Sequence, residues 1–514
     1  MGHPEGRLVP SFRSLLAASR HTIGLDVMIV VGLMRYGLDF ERREVVAFLK
    51  GHGTPLSEAA VSYLAVEFLV RWQMFCEERL ASLAPRLAPI VLQIDGTVEA
   101  NGPVTFRARE ARTGITLAAE QLVVESLGEV VGFLERYRER FGAPAVIVRD
   151  LSATLKGASE QVFPGVPQQV DHFHFVADIG EALLRPDYEA LRQGLLAGSG
   201  LARLAEWSRT LPIRGRDLET LERLWVRLAL EWIDAARTTP GGFPFHLAYL
   251  EVAERMRWVA ERSTRLLTLN VRRRVAIPEV ARLKQTLEGL LDRASGREPL
   301  GRLRALVRAW EEVRRAMKIE RDRRSREELR EFTAADVVAV KAAVERQGRL
   351  LASRGLEEAW AKVARRFEEQ APYLWVAAHV PGLSRTTVDL ERAHRSDRQG
   401  IRHRTGQKAT GPEMGRIGSL LAMFSNLEND WFSEKGCPET NLWAEFARQG
   451  PREVRRRIRA LRGAGRRERV PVAPRHAKEQ LDEFVEILER EGPSATELGR
   501  WASRVSAPQP SPVV

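Results

Sequence analysis

Cysteine is almost absent from this sequence, and the N-terminal part lacks a hydrophobic run long enough for a membrane. Cys76 and Cys437 are the two cysteines among 514 residues, so neither a disulfide framework nor a cysteine-based zinc site is available. The longest apolar run near the N-terminus, residues 27–34, is far shorter than the roughly 20 residues that span a bilayer. We therefore expect a protein of the reducing cytoplasm, without an export signal or a membrane anchor.

The composition is otherwise that of a globular protein with an excess of positive charge. Hydrophobic residues make up 44%, and glycine (39) and proline (26) are not enriched, which excludes collagen-like and wholly disordered chains. Lysine and arginine number 80 against 68 acidic residues, a formal net charge of +12. This excess favours a polyanionic partner such as nucleic acid, although an arginine-rich composition from a GC-rich genome is an alternative.

The first part of the chain has a helical pattern from about residue 8 to residue 87. A short break at residues 51–56 precedes Ser57, a good N-cap. Helix, glycine-containing turn and helix together predict a helix-turn-helix, with a plain helical hairpin as the alternative. The basic residues here favour contact with phosphates over base reading, and they are Arg42, Arg43 and Lys50.

The pattern then changes from the helical period to that of strands. Strands are predicted at residues 90–94, 104–109, 116–119, 145–148 and 168–171, and helices at residues 128–140 and 151–161. From about residue 180 to residue 370 the chain is helical again, which suggests an inserted domain. Further helices are predicted from Thr387 and over residues 478–490.

Two acids stand at the ends of predicted strands. Asp95 follows the first strand and Asp150 the fourth, so in one sheet their carboxylates could meet at an edge and hold hard divalent cations. Taken singly, each has another interpretation: Asp95-Gly96 is an ordinary turn, and Asp150 could cap the helix that follows.

The order of these elements resembles the RNase H-like fold of DDE transposases and integrases, in particular those of bacterial insertion sequences. The resemblance implies a third acid on a helix beyond a large helical insertion, which is Glu391 in the segment RTTVDLER at residues 385–392. This segment is similar to the transposase pattern Thr-Asn-Asn-x-x-Glu, followed by basic residues and Thr405-Gly406. It departs from the pattern at Thr387 and Val388, where the family has asparagine, and Asp389 is a rival carboxylate.

A histidine motif adds to the resemblance. The segment DHFHF at residues 171–175 is similar to the Asp-x-Phe-His segment after the fifth strand of several insertion-sequence transposases, and His174 is the matching histidine. The resemblance implies contact with the scissile phosphate or support of the acids; a satisfied core histidine or a histidine at the start of a helix is the alternative.

These features predict an α+β multidomain chain with an RNase H-like mixed sheet as its catalytic core. The expected divisions are a helix-turn-helix-like domain (1–88), the core's first part (89–180), a helical insertion (181–384), the core's second part (385–425), a basic helical region (426–505) and a disordered tail (506–514). The implied activity is DNA cleavage at transposon ends and transfer of the 3′-OH into target DNA. The alternatives are a catalytically idle DNA-binding protein and a nuclease that cleaves without joining.

The resemblance also implies the cofactor and the partners. Asp95, Asp150 and Glu391 would hold two Mg²⁺ ions, with Mn²⁺ as a substitute, because metal ions offset the charge that builds up on a phosphodiester. The partners would be double-stranded DNA and a second copy of the chain. Arginines beyond Glu391 and in a dense basic stretch are predicted to contact the DNA backbone, with a solvated basic face as the alternative; they are Arg395, Arg398, Arg402, Arg455, Arg456, Arg457 and Arg459.

Overall fold

The computed structural model describes most of the chain between residues 23 and 464. The described ranges are 23–98, 102–212, 218–239, 241–273, 278–295, 297–319, 331–380, 382–437 and 440–464. The predicted helix at 478–490 and the predicted disordered tail lie outside them.

A five-stranded mixed sheet stands within a largely helical chain. Its strands are β1 (Val91–Thr97), β2 (Val104–Glu110), β3 (Thr116–Leu122), β4 (Val146–Arg149) and β5 (Gln168–Val170), in the spatial order β3-β2-β1-β4-β5. β2 and β3 are antiparallel, whereas β4 is parallel to both β1 and β5. In the β1–β4 ladder Val91 pairs with Val146 and Gln93 with Val148. The predicted α+β class is therefore confirmed, and the strands follow one another along the chain as predicted.

Helices make up most of the remaining structure, and we number them in chain order. Those that precede or interleave the strands are α1 (Leu25–Gly32), α2 (Arg42–Gly51), α3 (Glu58–Leu87), α4 (Leu127–Phe141) and α5 (Ala153–Val162). Those of the long helical block are α6 (His172–Leu196), α7 (Gly200–Thr210), α8 (Leu218–Thr238), α9 (Ala248–Arg273), α10 (Pro278–Ser295), α11 (Arg297–Ala316), α12 (Ala334–Ala352) and α13 (Glu357–Leu374). The last ones are α14 (Val388–Thr405), α15 (Gly411–Phe424), α16 (Leu442–Arg448) and α17 (Pro451–Ala464).

The chain divides into two compact units. The first comprises Met1–Ala88, Ile94–Gly142 and Leu390–Val514, and the second comprises Pro89–Gln93 and Ala143–Asp389. Within the described residues, no helix is both long and apolar enough to cross a membrane.

The core of the first unit forms around α3 and α15. Ser57 caps α3 as predicted, since its Oγ accepts a hydrogen bond from the backbone N–H of Ala60 at 3.2 Å. Phe68 and Trp72 are buried on α3, and the Trp72 indole donates to the Met423 carbonyl at 3.0 Å. Gly418 lets α15 approach β2 closely, because a Cβ there would lie 2.4 Å from the Oγ1 of Thr105.

The core of the second unit forms around α6. Phe173 stacks on Phe245 with ring centroids 4.6 Å apart, and the indole of Trp310 donates to the Val176 carbonyl at 3.0 Å. A Cβ at Gly180 would lie 2.6 Å from the Trp310 indole nitrogen, so the absence of a side chain there allows the two helices to pack closely. The long helical block predicted after the fifth strand is confirmed.

Candidate functional site

Asp95 lies inside β1 and does not follow it. The sequence predicted a strand that ends at Ile94 with Asp95 directly after it, with an Asp95-Gly96 turn as the alternative, but β1 continues to Thr97. Gly96 has close neighbours there: a Cβ would lie 2.9 Å from Val104 and 3.0 Å from the Glu125 carboxylate. One Asp95 oxygen accepts the N–H of Gly96 at 2.9 Å, and the side chain is 18% exposed.

Asp150 comes directly after β4, as predicted. Its Oδ1 accepts the N–H of Ser152 at 2.7 Å, whereas the hydroxyl of Ser152 accepts the N–H of Leu155 at 3.3 Å. The N-cap of α5 is therefore Ser152, and α5 begins at Ala153, two residues later than predicted. Along the chain, Asp95 lies two residues after Gln93 and Asp150 two residues after Val148, the last paired residues of β1 and β4.

Glu391 lies in the first turn of α14 and is half-buried. One turn later the same helix carries His394, whose side chain is 1% exposed and whose Nε2 lies 3.9 Å from an Asp95 oxygen. Burial lowers the pKa of His394 well below its ordinary value, and the nearby cations Arg107 and Arg398 lower it further. Neither ring nitrogen of His394 has a hydrogen-bond partner among the described residues.

A buried ion pair lies close to His394. Arg107 on β2 is fully buried, and its Nη2 donates to Asp397 of α14 at 2.6 Å. Burial raises the pKa of Asp397, and the Arg107 cation opposes that rise. Arg398 donates from Nη2 to the Thr97 hydroxyl at 3.2 Å. These contacts attach α14, which carries Glu391, to β2 and to β1, the strand of Asp95.

His174 is held by a buried carboxylate. Asp171 is the N-cap of α6, so β5 ends at Val170 and not at Asp171 as predicted. Its Oδ1 accepts the N–H of His174 at 2.9 Å, and its Oδ2 lies 3.1 Å from His174 Nδ1. The same Oδ2 accepts the N–H of Thr387 at 2.5 Å and its hydroxyl at 2.7 Å. Thr387, the departure from the family's asparagine, therefore supports Asp171.

These contacts determine the charge of Asp171. Burial acts to raise the pKa of its carboxyl, but His174 and the two backbone N–H donors outweigh burial, and the pKa falls to about 2. His174 itself is 33% exposed at its side chain. The arrangement keeps a carboxylate behind the imidazole, which fixes the orientation of the ring.

The predicted DNA-contacting arginines have different surroundings. Arg395 and Arg402 on α14 are exposed, and Arg402 donates to the Lys408 carbonyl at 3.4 Å. On α17, Arg456 and Arg457 both pair with Glu453, and Arg457 also pairs with Glu77 at 2.9 Å. Arg455 is half-buried and Arg459 is exposed, and neither forms an ion pair with another described residue.

The basic residues of α2 are all exposed. Arg43 pairs with Glu41 at 2.7 Å, and Arg42 lies 3.9 Å from Glu58 at the start of α3. Lys50 stands in the last turn of α2. Helix, turn and helix are thus present where the sequence predicted them, while DNA binding by Arg42, Arg43 and Lys50 stays a prediction.

The structure does not bring the three acids together as a metal-holding group. Among the residues that it describes, no three His, Cys, Asp or Glu side chains are placed to hold one ion. Mg²⁺ is commonly held by one or two carboxylates and keeps several waters. Asp95 and Asp150 each offer the carboxylate oxygens that this ion takes.

Sequence reasoning missed His394, Asp171 and Thr387. His394 lies three residues after Glu391, a spacing that places both on one helix face, and this signal could have identified it. Asp171 is part of the quoted histidine motif, yet its role as a cap depends on where β5 ends.

The chain matches no protein-family model, and no curated protein is similar to it in sequence.

Proposed function

We propose that this chain is a DDE transposase of a bacterial insertion sequence, which cuts DNA at the element's ends and joins the released 3′-OH to target DNA. In this proposal the five-stranded sheet is an RNase H-like catalytic core interrupted by the helical block. The N-terminal helices form a DNA-binding domain of the helix-turn-helix type. A dimer in the cytoplasm would act on two element ends.

The observation that carries the proposal is the place of each acid in the order of elements along the chain. Asp95 stands in the first strand and Asp150 directly follows the fourth. A third acid, Glu391, lies in the first turn of α14, after the helical block. Three carboxylates in this order are what the resemblance implies, and they suit a pair of hard cations.

The metal ions would supply Lewis acidity at the phosphate and lower the pKa of the attacking water or 3′-OH. The residues of the chain have distinct tasks around them. Asp95, Asp150 and Glu391 would hold the ions, and the Arg107–Asp397 pair keeps α14 in place. His174, oriented by Asp171, is positioned to donate a hydrogen bond to a phosphate oxygen.

DNA would be held by exposed cations. Arg395 and Arg402 follow Glu391 by four and eleven residues, which continues one face of α14. Arg459 on α17 is a third exposed cation. Such contacts release counterions and are independent of sequence, and Arg456 and Arg457 contribute less because Glu453 already neutralises part of their charge.

The test is cleavage of a supercoiled plasmid that carries the gene with its flanking DNA, in Mg²⁺ or Mn²⁺. Asp95→Asn, Asp150→Asn and Glu391→Gln should each lower cleavage on the order of 10²–10³-fold or more, the loss typical of removing one electrostatic contact to the transition state. Affinity for a random-sequence duplex should change little. Asp430→Asn, at an exposed acid, is the matched control.

Three results would contradict the proposal or narrow it. Full cleavage by any one of the three variants would remove that residue from the site. Cleavage without joined products in a strand-transfer assay would indicate a nuclease. DNA binding without cleavage by the wild-type chain would indicate an idle, DNA-binding protein.

A further inference from the structure

His394 of α14 is a buried histidine that the proposed function does not use. Its side chain is 1% exposed, and neither ring nitrogen has a hydrogen-bond partner among the described residues. Most buried polar atoms in proteins do have a partner, and each exception calls for an explanation, of which a catalytic role is one. His394 therefore needs an acceptor close to its ring.

The carboxylate of Asp95 lies beside the ring. His394 Nε2 is 3.9 Å from Asp95 Oδ2, whereas Asp95 Oδ1 accepts the N–H of Gly96 at 2.9 Å. The first distance is about 1 Å longer than an ordinary hydrogen bond from N–H to oxygen. Hydrogen bonds at catalytic sites are often long in the free protein and shorten in the complex, so a small movement of the Asp95 side chain completes this one.

The charge of Asp95 determines which nitrogen of the ring carries the proton. An Nε2 without a proton would direct its lone pair at a carboxylate oxygen, which repels it, whereas an Nε2–H is attracted. Both the neutral and the doubly protonated imidazole can donate from Nε2. The contact with Asp95 is therefore a donor–acceptor contact in either state of the ring.

The neighbours of His394 hold it in this place and are bound to other acceptors. Arg107 of β2 donates to Asp397 at 2.6 Å, and Arg398 donates to the hydroxyl of Thr97, the last residue of β1, at 3.2 Å. Asp397 and Arg398 follow His394 by three and four residues, so the three side chains share one face of α14. The two contacts therefore hold the imidazole against the sheet.

We propose that His394 is a positioning residue, which donates its Nε2–H to Asp95 and fixes the direction in which that carboxylate presents its oxygens to a divalent cation. The inference rests on the proposed function in one respect, the assignment of Asp95 as a metal ligand. Carboxylates that hold metal ions are commonly hydrogen-bonded, and loss of such a partner typically lowers metal affinity 10- to 100-fold. A carboxylate has about four acceptor positions, so the Gly96 N–H, the His394 N–H and a cation can share it.

The test is binding of Mn²⁺ to the full chain without DNA, followed by the electron paramagnetic resonance signal of the free ion. His394→Leu should weaken binding about 10- to 100-fold. His394→Gln should bind more tightly than His394→Leu, because its amide N–H can replace the imidazole N–H. In the Asp95→Asn background His394→Leu should have little further effect, because His394 acts through Asp95.

The matched control is His246→Leu. His246 Nε2 also faces a carboxylate, that of Glu251 at 3.2 Å, in the second unit. This variant should bind Mn²⁺ as the wild type does, and circular dichroism verifies that every variant is folded.

Nitrogen-15 NMR of histidine-labelled protein gives a second measurement that does not need His394→Leu to fold. The wild type should show an Nε2–H resonance that is absent from His394→Gln and that Asp95→Asn shifts. If Asp95→Asn left that resonance unmoved, the inference would be overturned.

The Mn²⁺ titration can also overturn the inference in three ways. His394→Leu could bind as tightly as the wild type, His394→Gln could be as weak as His394→Leu, or the effect of His394→Leu could persist undiminished in the Asp95→Asn background. None of these results touches the proposed function if Asp95→Asn alone abolishes binding and cleavage. Conversely, a chain that binds Mn²⁺ through Asp95 and His394 but does not cleave DNA would retain this inference and lose the proposed function, and a wild type that binds no Mn²⁺ would overturn both.

Discussion

Asp171→Asn probes the carboxylate that joins the start of α6 to Thr387. Asparagine is a good N-cap, so its oxygen can still accept the N–H of His174. Its amide group then faces the N–H and hydroxyl of Thr387, which now donate to the Asp171 carboxylate at 2.5 and 2.7 Å. The substitution therefore leaves buried donors without an acceptor.

Two estimates of the free energy lost in Asp171→Asn agree. Losing hydrogen bonds to a charged group costs about 1.5–3 kcal/mol. Separately, the pKa of Asp171 falls from its ordinary 3.8 to about 2, and each pKa unit corresponds to about 1.4 kcal/mol, which gives about 2 kcal/mol. The lowered pKa means that this stabilisation is present above pH 3.8 and is lost as the pH falls from 3.8 to about 2.

Hydrogen exchange at neutral pH measures this cost locally. A loss of about 2–3 kcal/mol should accelerate exchange of the His174 and Thr387 amides roughly 30- to 150-fold. Asp178→Asn is the matched control, because Asp178 lies on the same helix and pairs with Arg366 at the surface, where such pairs contribute at most about 1 kcal/mol. Equal protection of both amides in the two variants would refute the role assigned to Asp171.

Two further predictions concern acid stability and the basic helix α17. Burial and the nearby Arg385 lower the pKa of His172 from 6.5 to about 4. Between these pH values the imidazole is protonated in the unfolded chain but not in the folded one, so the free energy of unfolding falls by about 3 kcal/mol as the pH drops from 6.5 to 4. His172→Gln should remove that loss in acid unfolding followed by circular dichroism, and an unchanged acid midpoint would contradict it. Arg457→Ala should destabilise the chain, because the pair of Arg457 with Glu77 is half-buried. Arg459→Ala should instead reduce the salt dependence of DNA binding by about one ion. If the two variants changed stability and salt dependence equally, this distinction would be wrong.

The strands could be predicted from the sequence because their residues alternate or form short apolar runs that bury both faces. The residues at which the strands end could not be predicted, since these ends depend on side chains distant in sequence. β1 continues past Asp95 to Thr97, and at Gly96 it lies so close to Val104 and Glu125 that a side chain there would clash. β5 stops one residue early because Asp171 becomes the cap of α6.

The places of the three acids in the chain could be predicted, but the side chains that surround them could not. Asp95, Asp150 and Glu391 stand at places that local pattern and resemblance identify. The burial of Arg107 against Asp397, and of His394 beside Asp95, arises when α14 packs on β2, a contact between segments almost three hundred residues apart. Charged side chains in such a contact look like ordinary surface residues in the sequence.

The meeting of Asp171 with Thr387 has a consequence for the helical block that lies between them in the chain. The N–H of His172 also donates to the Arg385 carbonyl at 2.9 Å, so the polypeptide leaves β5 and returns at almost the same point. Closing a longer loop adds only about 0.6 kcal/mol for each doubling of its length. A block with adjoining ends can therefore be gained, lengthened or lost in evolution while β5, the strand that precedes it, keeps its register on β4.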